Sequence, residues 1–203
     1  MLYFNRKKAI LIISHFGCNV FSFYNKLLHH SRINGYYRHV PQRTVDYNDP
    51  YCSYLLKDKE HSWQNKDKIY LDLLLFNYQI GCKELFKNPD VEFIFYLGNS
   101  INVTNKINQQ TGLSLDVAKR YYCFRLRRIC EMLQIIKKPN IYIEGLSSDE
   151  ELTRHLNNKY KFFPNLNIEL DYEKETNGLP EECYERYFSF IANMKERKKI
   201  NIF

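Results

Sequence analysis

Apolar residues recur along this chain in two rhythms. Ala9-Ile10-Leu11-Ile12-Ile13 is an uninterrupted apolar run, rich in β-branched residues, between Lys7-Lys8 and Ser14-His15-Phe16-Gly17. Such a run predicts a strand covered on both faces, as in the middle of a parallel sheet. Glu92 to Leu97 predicts a second buried strand, Asn140-Ile141-Tyr142-Ile143 a third, and Ile69-Tyr70-Leu71 a short one. Elsewhere the spacing turns helical. Val20, Phe23, Tyr24, Leu27 and Leu28 recur at three and four residues and predict a helix from Val20 to His29.

Polar residues punctuate these runs. Asp72 reads as the N-cap of a helix through Phe86, closed by Asn88-Pro89. Ser100 reads as the cap of a short helix from Ile101. Ser114 reads as the cap of the longest one, Leu115 to Ile136, with Asp116 at its positive end and Pro139 beyond it. Ser147 or Ser148 opens a helix whose first turn carries Asp149, Glu150 and Glu151, and Pro180 starts a last helix through about Lys195. The stretch from Lys161 to Thr176 reads as irregular or extended. Residues 31 to 67 are the least regular; they hold Pro41, Pro50 and Trp63, and such a stretch inside a compact domain is often a binding loop. Strands alternating with helices predict an α/β protein, a three-layer α/β/α sandwich on a mostly parallel central sheet. With no internal repeat and no linker, residues 1–203 are expected to form one domain.

Composition adds a partner class. The 203 residues carry a formal net charge of +7. A basic chain attracts something anionic: a nucleotide, a sulfated or phosphorylated ligand, nucleic acid or a membrane surface. The 17 Tyr and 14 Phe could stack on bases. They fall mostly on the apolar faces of strands and helices, so core packing accounts for them and a nucleic-acid module is the disfavoured alternative. The six cysteines form no Cys-x-x-Cys, and no secretory signal core precedes them. Free thiols in a cytoplasmic protein are expected. No apolar run approaches the roughly 18 residues of a membrane span. His15 and Cys18 alone are too few for a metal site, so none is expected.

In a parallel sheet, ligands gather at the carboxyl ends of the strands. Two loops there suit an anion. Ser14-His15-Phe16-Gly17-Cys18-Asn19 is small and polar and leads into a helix N-terminus. Gly98-Asn99-Ser100-Ile101-Asn102-Val103 has the same design, with Lys106 as its first cation. Neither is a Walker loop, since Gly-x4-Gly-Lys-Ser/Thr is absent. Arg120, Arg125, Arg127 and Arg128 make the longest helix basic, and an arginine there suits a phosphate.

These segments, in this order, resemble the sulfotransferase family, especially its small bacterial and viral members. Ser14-His15 with Gly17-Cys18-Asn19 looks like the family's 5′-phosphosulfate loop. Ile69-Tyr70-Leu71-Asp72, with Leu74-Leu75 and Asn77-Tyr78, resembles the segment after its next strand. Phe93 to Ser100 looks like the strand and start of its 3′-phosphate loop. The run from Tyr121 to Met132, YYCFRLRRICEM, is the most specific match, and Leu179-Pro180-Glu181-Glu182 with Tyr184 to Tyr187 resembles the C-terminal helix. The resemblance implies a fold related to P-loop kinases and sulfuryl transfer from 3′-phosphoadenosine 5′-phosphosulfate to a hydroxyl or amine, without a metal. Ser14, Gly17, Cys18 and Asn19 would hold the 5′ end. Asn99, Ser100 and Lys106, with Arg125, would meet the 3′-phosphate. Asp72 is the first candidate for general base and His15 the second, its ordinary pKa suiting proton transfer. The acceptor is open, with a carbohydrate as one choice, and residues 31–67 would select it. The chain departs from the family at Phe16, where a Lys or Arg is usual, at Gly98, where an Arg is usual, and at Lys106, where a Ser is usual. Those departures motivate the alternative of a non-catalytic relative that binds an anionic ligand or a protein.

Overall fold

The computed structural model describes residues 9–35, 69–74, 89, 91–137, 139–170 and 182–203. Its elements run β1 (Ala9–Ile13), α1 (Val20–Leu28), β2 (Ile33–Gly35), β3 (Ile69–Leu74), β4 (Val91–Leu97), α2 (Ser100–Thr111), α3 (Leu115–Leu133), β5 (Asn140–Ile143), α4 (Asp149–Tyr160), α5 (Glu182–Glu196) and β6 (Asn201–Ile202). The six strands form one sheet in the order β2-β3-β1-β4-β5-β6. Every pairing is parallel.

The continuous apolar runs fix the middle of that sheet. All five residues of β1 and all seven of β4 are buried. Their side chains alternate between two cores. Ile10, Ile12, Ile94 and Tyr96 pack with Val20, Phe23, Tyr24 and Leu27 of α1 and with Leu152, Leu156 and Tyr160 of α4. Leu11, Ile13, Phe93, Phe95 and Leu97 pack with Val103 and Ile107 of α2, with α3, and with Tyr184, Ile191 and Met194 of α5. The result is three layers, α1 and α4 on one face and α2, α3 and α5 on the other. This α/β sandwich agrees with the patterning. On the α1 side the rings of Phe23, Tyr96 and Tyr142 stack in sequence, their centroids 5.6 and 4.9 Å apart at 18° and 19°.

Several boundaries differ from those expected, each for a local reason. Asp72 does not cap a helix: it lies inside β3, which continues to Leu74, and it pairs in register with Leu11. The helix expected after it falls, beyond Leu74, outside the described residues. Ser100 is the first residue of α2, not its cap; the cap is Asn99, whose side chain accepts from the Ile101 N–H at 3.0 Å. Ser114 and Ser148 cap α3 and α4 as expected, whereas Ser147 turns back to accept from the Ile143 N–H at 2.8 Å. The long helix stops at Leu133, and the last begins within the described residues at Glu182. Two short edge strands, β2 and β6, carried no readable pattern. Most of 31–67 lies outside the described residues, as does Pro180.

One buried polar network ties the amino ends of the strands. Glu92 at the start of β4 is 4% exposed. Its carboxylate accepts from Asn140 Nδ2 at 2.8 Å and from the Tyr160 hydroxyl at 2.5 Å, and meets His155 Nε2 at 2.5 Å and Lys159 Nζ at 3.2 Å. Burial alone would raise its pKa, but the bonds from His155 and Tyr160 and the charge of Lys159 outweigh that and hold it below the usual range. Asn201 Nδ2 donates in turn to Asn140 Oδ1 at 3.2 Å, carrying the network to β6.

Candidate functional site

The opposite end of the sheet is organised differently. The helix that follows β1 goes to one face and the helix that follows the neighbouring β4 goes to the other. Adjacent strands whose connections part in this way leave a crevice at their carboxyl ends, where α/β proteins bind ligands. The two loops singled out from the sequence, 14–19 and 98–99, meet there, and Glu144 at the end of β5 completes the group.

The first loop is held by its own small side chains. Ser14 donates to the Tyr96 carbonyl at 2.8 Å, tying the end of β1 to β4. The Cys18 thiol donates to the His15 carbonyl at 3.0 Å and lies 2.9 Å from Ser14 Oγ. Burial, with the Glu144 charge adding to it, pushes that thiol up to about 12, so it stays protonated at neutral pH. Gly17 has φ +93°, a left-handed conformation, and a Cβ on it would lie 2.9 Å from the Val103 carbonyl oxygen. Only glycine lets the loop turn and press against α2 at once.

His15 joins the two loops. It is 1% exposed, and its Nε2 accepts from the Gly98 N–H at 3.1 Å, which leaves the proton on Nδ1, 3.0 Å from the Phe16 carbonyl. Burial lowers its pKa to about 4, with the Arg125 charge contributing. Both ring nitrogens are therefore committed to backbone and the ring is neutral at pH 7. Tyr122 of α3 lies against this ring, centroids 4.8 Å apart, and donates to the Gly98 carbonyl at 2.6 Å. Tyr122→Phe should cost about 1 kcal/mol, with the Gly98 carbonyl left unpaired. Equilibrium urea unfolding measures it, and an unchanged midpoint would deny the bond any weight.

Gly98 itself is hemmed in. A Cβ there would stand 2.4 Å from Val103 Cγ2, 2.7 Å from Cys18 Cβ and 3.2 Å from Glu144 Oε2. This position, where a cation is usual in the resembled family, is packed against loop and helix.

Glu144 was not singled out from the sequence. It is 3% exposed, and its carboxylate accepts from the backbone N–H of Asn19 at 2.5 Å and lies near that of Asn99. Asn19 is the N-cap residue of α1 yet makes no side-chain cap bond. A carboxylate from 125 positions along the chain stands there instead. The Tyr96 hydroxyl lies near the same carboxylate and is buried without a hydrogen bond of good geometry. Burial raises the Glu144 pKa, against the Asn19 bond, the positive charge of Lys106 and the nearby Asn99 N–H. An Ile-Glu-Gly sequence at a strand end was the available signal.

The remaining candidates are placed as follows. Ser100 is buried in the first turn of α2, where its carbonyl accepts from Thr104 Oγ1 at 2.9 Å. Lys106 is exposed, one and a half turns into α2, close enough to act electrostatically on Glu144. Arg125 is half-buried on α3, with its guanidinium 4.7 Å from the Tyr121 ring centre, and it acts on His15. Asp72 is placed by its backbone alone, beside β1 and two residues before the end of β3. Among the described residues, no group of three or more His, Cys, Asp or Glu could hold a metal ion, and no helix is long and apolar enough to cross a membrane.

No family model matches the chain, and no curated protein matches it. Among solved structures, an uncharacterized protein from Eubacterium ventriosum is similar at 13% identity, with a TM-score of 0.31, over 95% of this chain and 100% of that one. A likeness at that level carries no conclusion about either fold or function.

Proposed function

We propose that the crevice between β1 and β4 binds an adenine nucleotide carrying phosphate and phosphosulfate groups, and that the chain transfers a sulfuryl group from it. What carries the reading is a buried carboxylate at a topological switch point that accepts from the Asn19 N–H at the start of α1 and lies near the Asn99 N–H at the start of α2. The resemblance to sulfotransferases expects its two anion loops, here at Ser14–Asn19 and from Gly98 on, to lie side by side, and a fold related to P-loop kinases would place them so. Lys106 and Arg125 stand near these loops and would supply the charge that Phe16 and Gly98 do not.

In this reaction an acceptor oxygen or nitrogen attacks sulfur, the bond from sulfur to the 5′-phosphate oxygen breaks, and 3′-phosphoadenosine 5′-phosphate leaves. The acceptor's proton goes to a base. Asp72 in β3 is the proposed base, because both nitrogens of the His15 ring are engaged with backbone.

Titration calorimetry with 3′-phosphoadenosine 5′-phosphate tests the reading. Wild type should bind in the micromolar range, and Lys106→Ala should bind about tenfold more weakly, the loss of one charge-assisted contact. No binding at millimolar nucleotide by either protein would end it. The non-catalytic reading is favoured by the packing around Gly98, which excludes a side chain. It stands if nucleotide binds while the sulfate donor is never turned over.

A further inference from the structure

The proposed nucleotide site contains an anion already. The Glu144 carboxylate accepts from the N–H of Asn19 and lies near the N–H of Asn99, two donors that an incoming phosphoryl or sulfuryl group would take. We infer that Glu144 is an internal stand-in for the ligand's anionic group, and that the ligand takes these donors only when this carboxylate is protonated or displaced. The inference rests on the reading of the crevice as a nucleotide site and adds its control by protons.

The surroundings decide which group couples to the ligand. On the first loop, Cys18 titrates at about 12 and His15 at about 4. From β4 and α3, Tyr96 and Tyr122 face the carboxylate, and burial raises both above the ordinary tyrosine value. From α2 comes Lys106, whose charge favours the ionised carboxylate. None of Cys18, His15, Tyr96 and Tyr122 changes charge between pH 5 and 8. Glu144 is the carboxylate of this group, and burial raises its pKa.

The sign follows from linkage. A second anion beside Glu144 favours its protonated form, so binding takes up a proton and affinity falls as pH rises through the Glu144 pKa, by up to tenfold per pH unit. Glu144→Gln keeps the shape and the acceptor oxygen but removes the charge, and should abolish this dependence.

The experiment is calorimetry of 3′-phosphoadenosine 5′-phosphate with wild type and Glu144→Gln, from pH 5.5 to 8, in two buffers of different ionisation enthalpy. The ligand's own phosphates titrate in this range, so the difference between the two proteins is read. We expect wild type to lose at least fivefold more affinity than the variant across the range and to take up close to one more proton on binding. Equal pH dependence and equal proton uptake, with both proteins binding, overturns the stand-in and leaves the nucleotide site standing. Binding by the variant but not by wild type supports both. Absence of binding by either protein overturns both. Should Glu144→Gln fail to fold, wild type alone decides: its proton uptake must exceed that measured for the ligand's protonation in free solution, and uptake no greater than that overturns the stand-in.

Discussion

Glu92→Ala should destabilise the protein by about 3 kcal/mol. Removing one partner of a buried ion pair costs roughly 3–5 kcal/mol when the other charge is left stranded. Here the cations are not fully stranded: His155 is 30% and Lys159 48% exposed, so water recovers part of their solvation and the lower end applies. The loss comes mainly from Asn140 Nδ2 and the Tyr160 hydroxyl, both on buried residues and both donors to this carboxylate. For a chain of this size the melting temperature should fall by about 6–12 °C. The pH dependence has a definite sign. The folded-state pKa of Glu92 is depressed, so its stabilisation is present above the unfolded value of about 4.3 and is lost as pH falls through the folded one. Wild type should therefore lose more stability than Glu92→Ala on going from pH 6 to pH 3 in chemical denaturation. Parallel acid losses in the two proteins would remove Glu92 from the account.

Gly98→Arg should damage the protein rather than restore a cofactor contact. Arginine is the residue usual here in the resembled family, and the simple expectation is a gain in anion affinity. The first side-chain carbon would lie 2.4 Å from Val103 Cγ2 and 2.7 Å from Cys18 Cβ, both inside contact distance. Val103 is fully buried and Cys18 is bonded into the first loop, so neither yields without moving α2 or the loop. Overpacking of this kind costs about 1–3 kcal/mol, and the backbone shift would also break the His15 brace at the Gly98 N–H. The expected result is a melting point lower by about 2–12 °C and weaker, not stronger, binding of the proposed nucleotide. Gly98→Ala should show most of the same loss, because the first carbon makes the clash. A Gly98→Arg protein of unchanged stability and tighter binding would mean that the loops part easily in solution.

The patterning made the layers and the central strands legible for a physical reason. A strand covered on both faces must be apolar wherever its side chains are not paired: β1 is apolar throughout, and β4 and β5 are so apart from Glu92 and Asn140, which bond to each other. Helix starts were legible at Ser114 and Ser148, because a hydroxyl ahead of an amphipathic run has one common use. Asp72 misled because an aspartate after a short apolar run has the signature of a cap, yet parallel pairing with β1 carries the strand through it. The edge strands β2 and β6 are three and two residues long, too short to hold a period. In the crevice, the two loops were legible from their small polar residues and their position after strands. Their assembly was not. His15 looked like a proton-transfer group until its two nitrogens were seen on the Gly98 and Phe16 backbones. Glu144 escaped notice because its partner Asn19 is 125 residues away, a separation no local motif spans.

The ring stack of Phe23, Tyr96 and Tyr142 has an optical consequence. Tyrosine rings held nearly parallel at such distances in an asymmetric core couple their transitions and should give a near-ultraviolet dichroism band that free tyrosine lacks. One ring comes from α1, one from β4 and one from β5, so that band reports whether the first helix is seated on the sheet. Trp63 is the one tryptophan of the chain. Its emission is a separate channel, and the two signals followed together during unfolding would show whether helix and sheet part in the same step as the change that Trp63 senses.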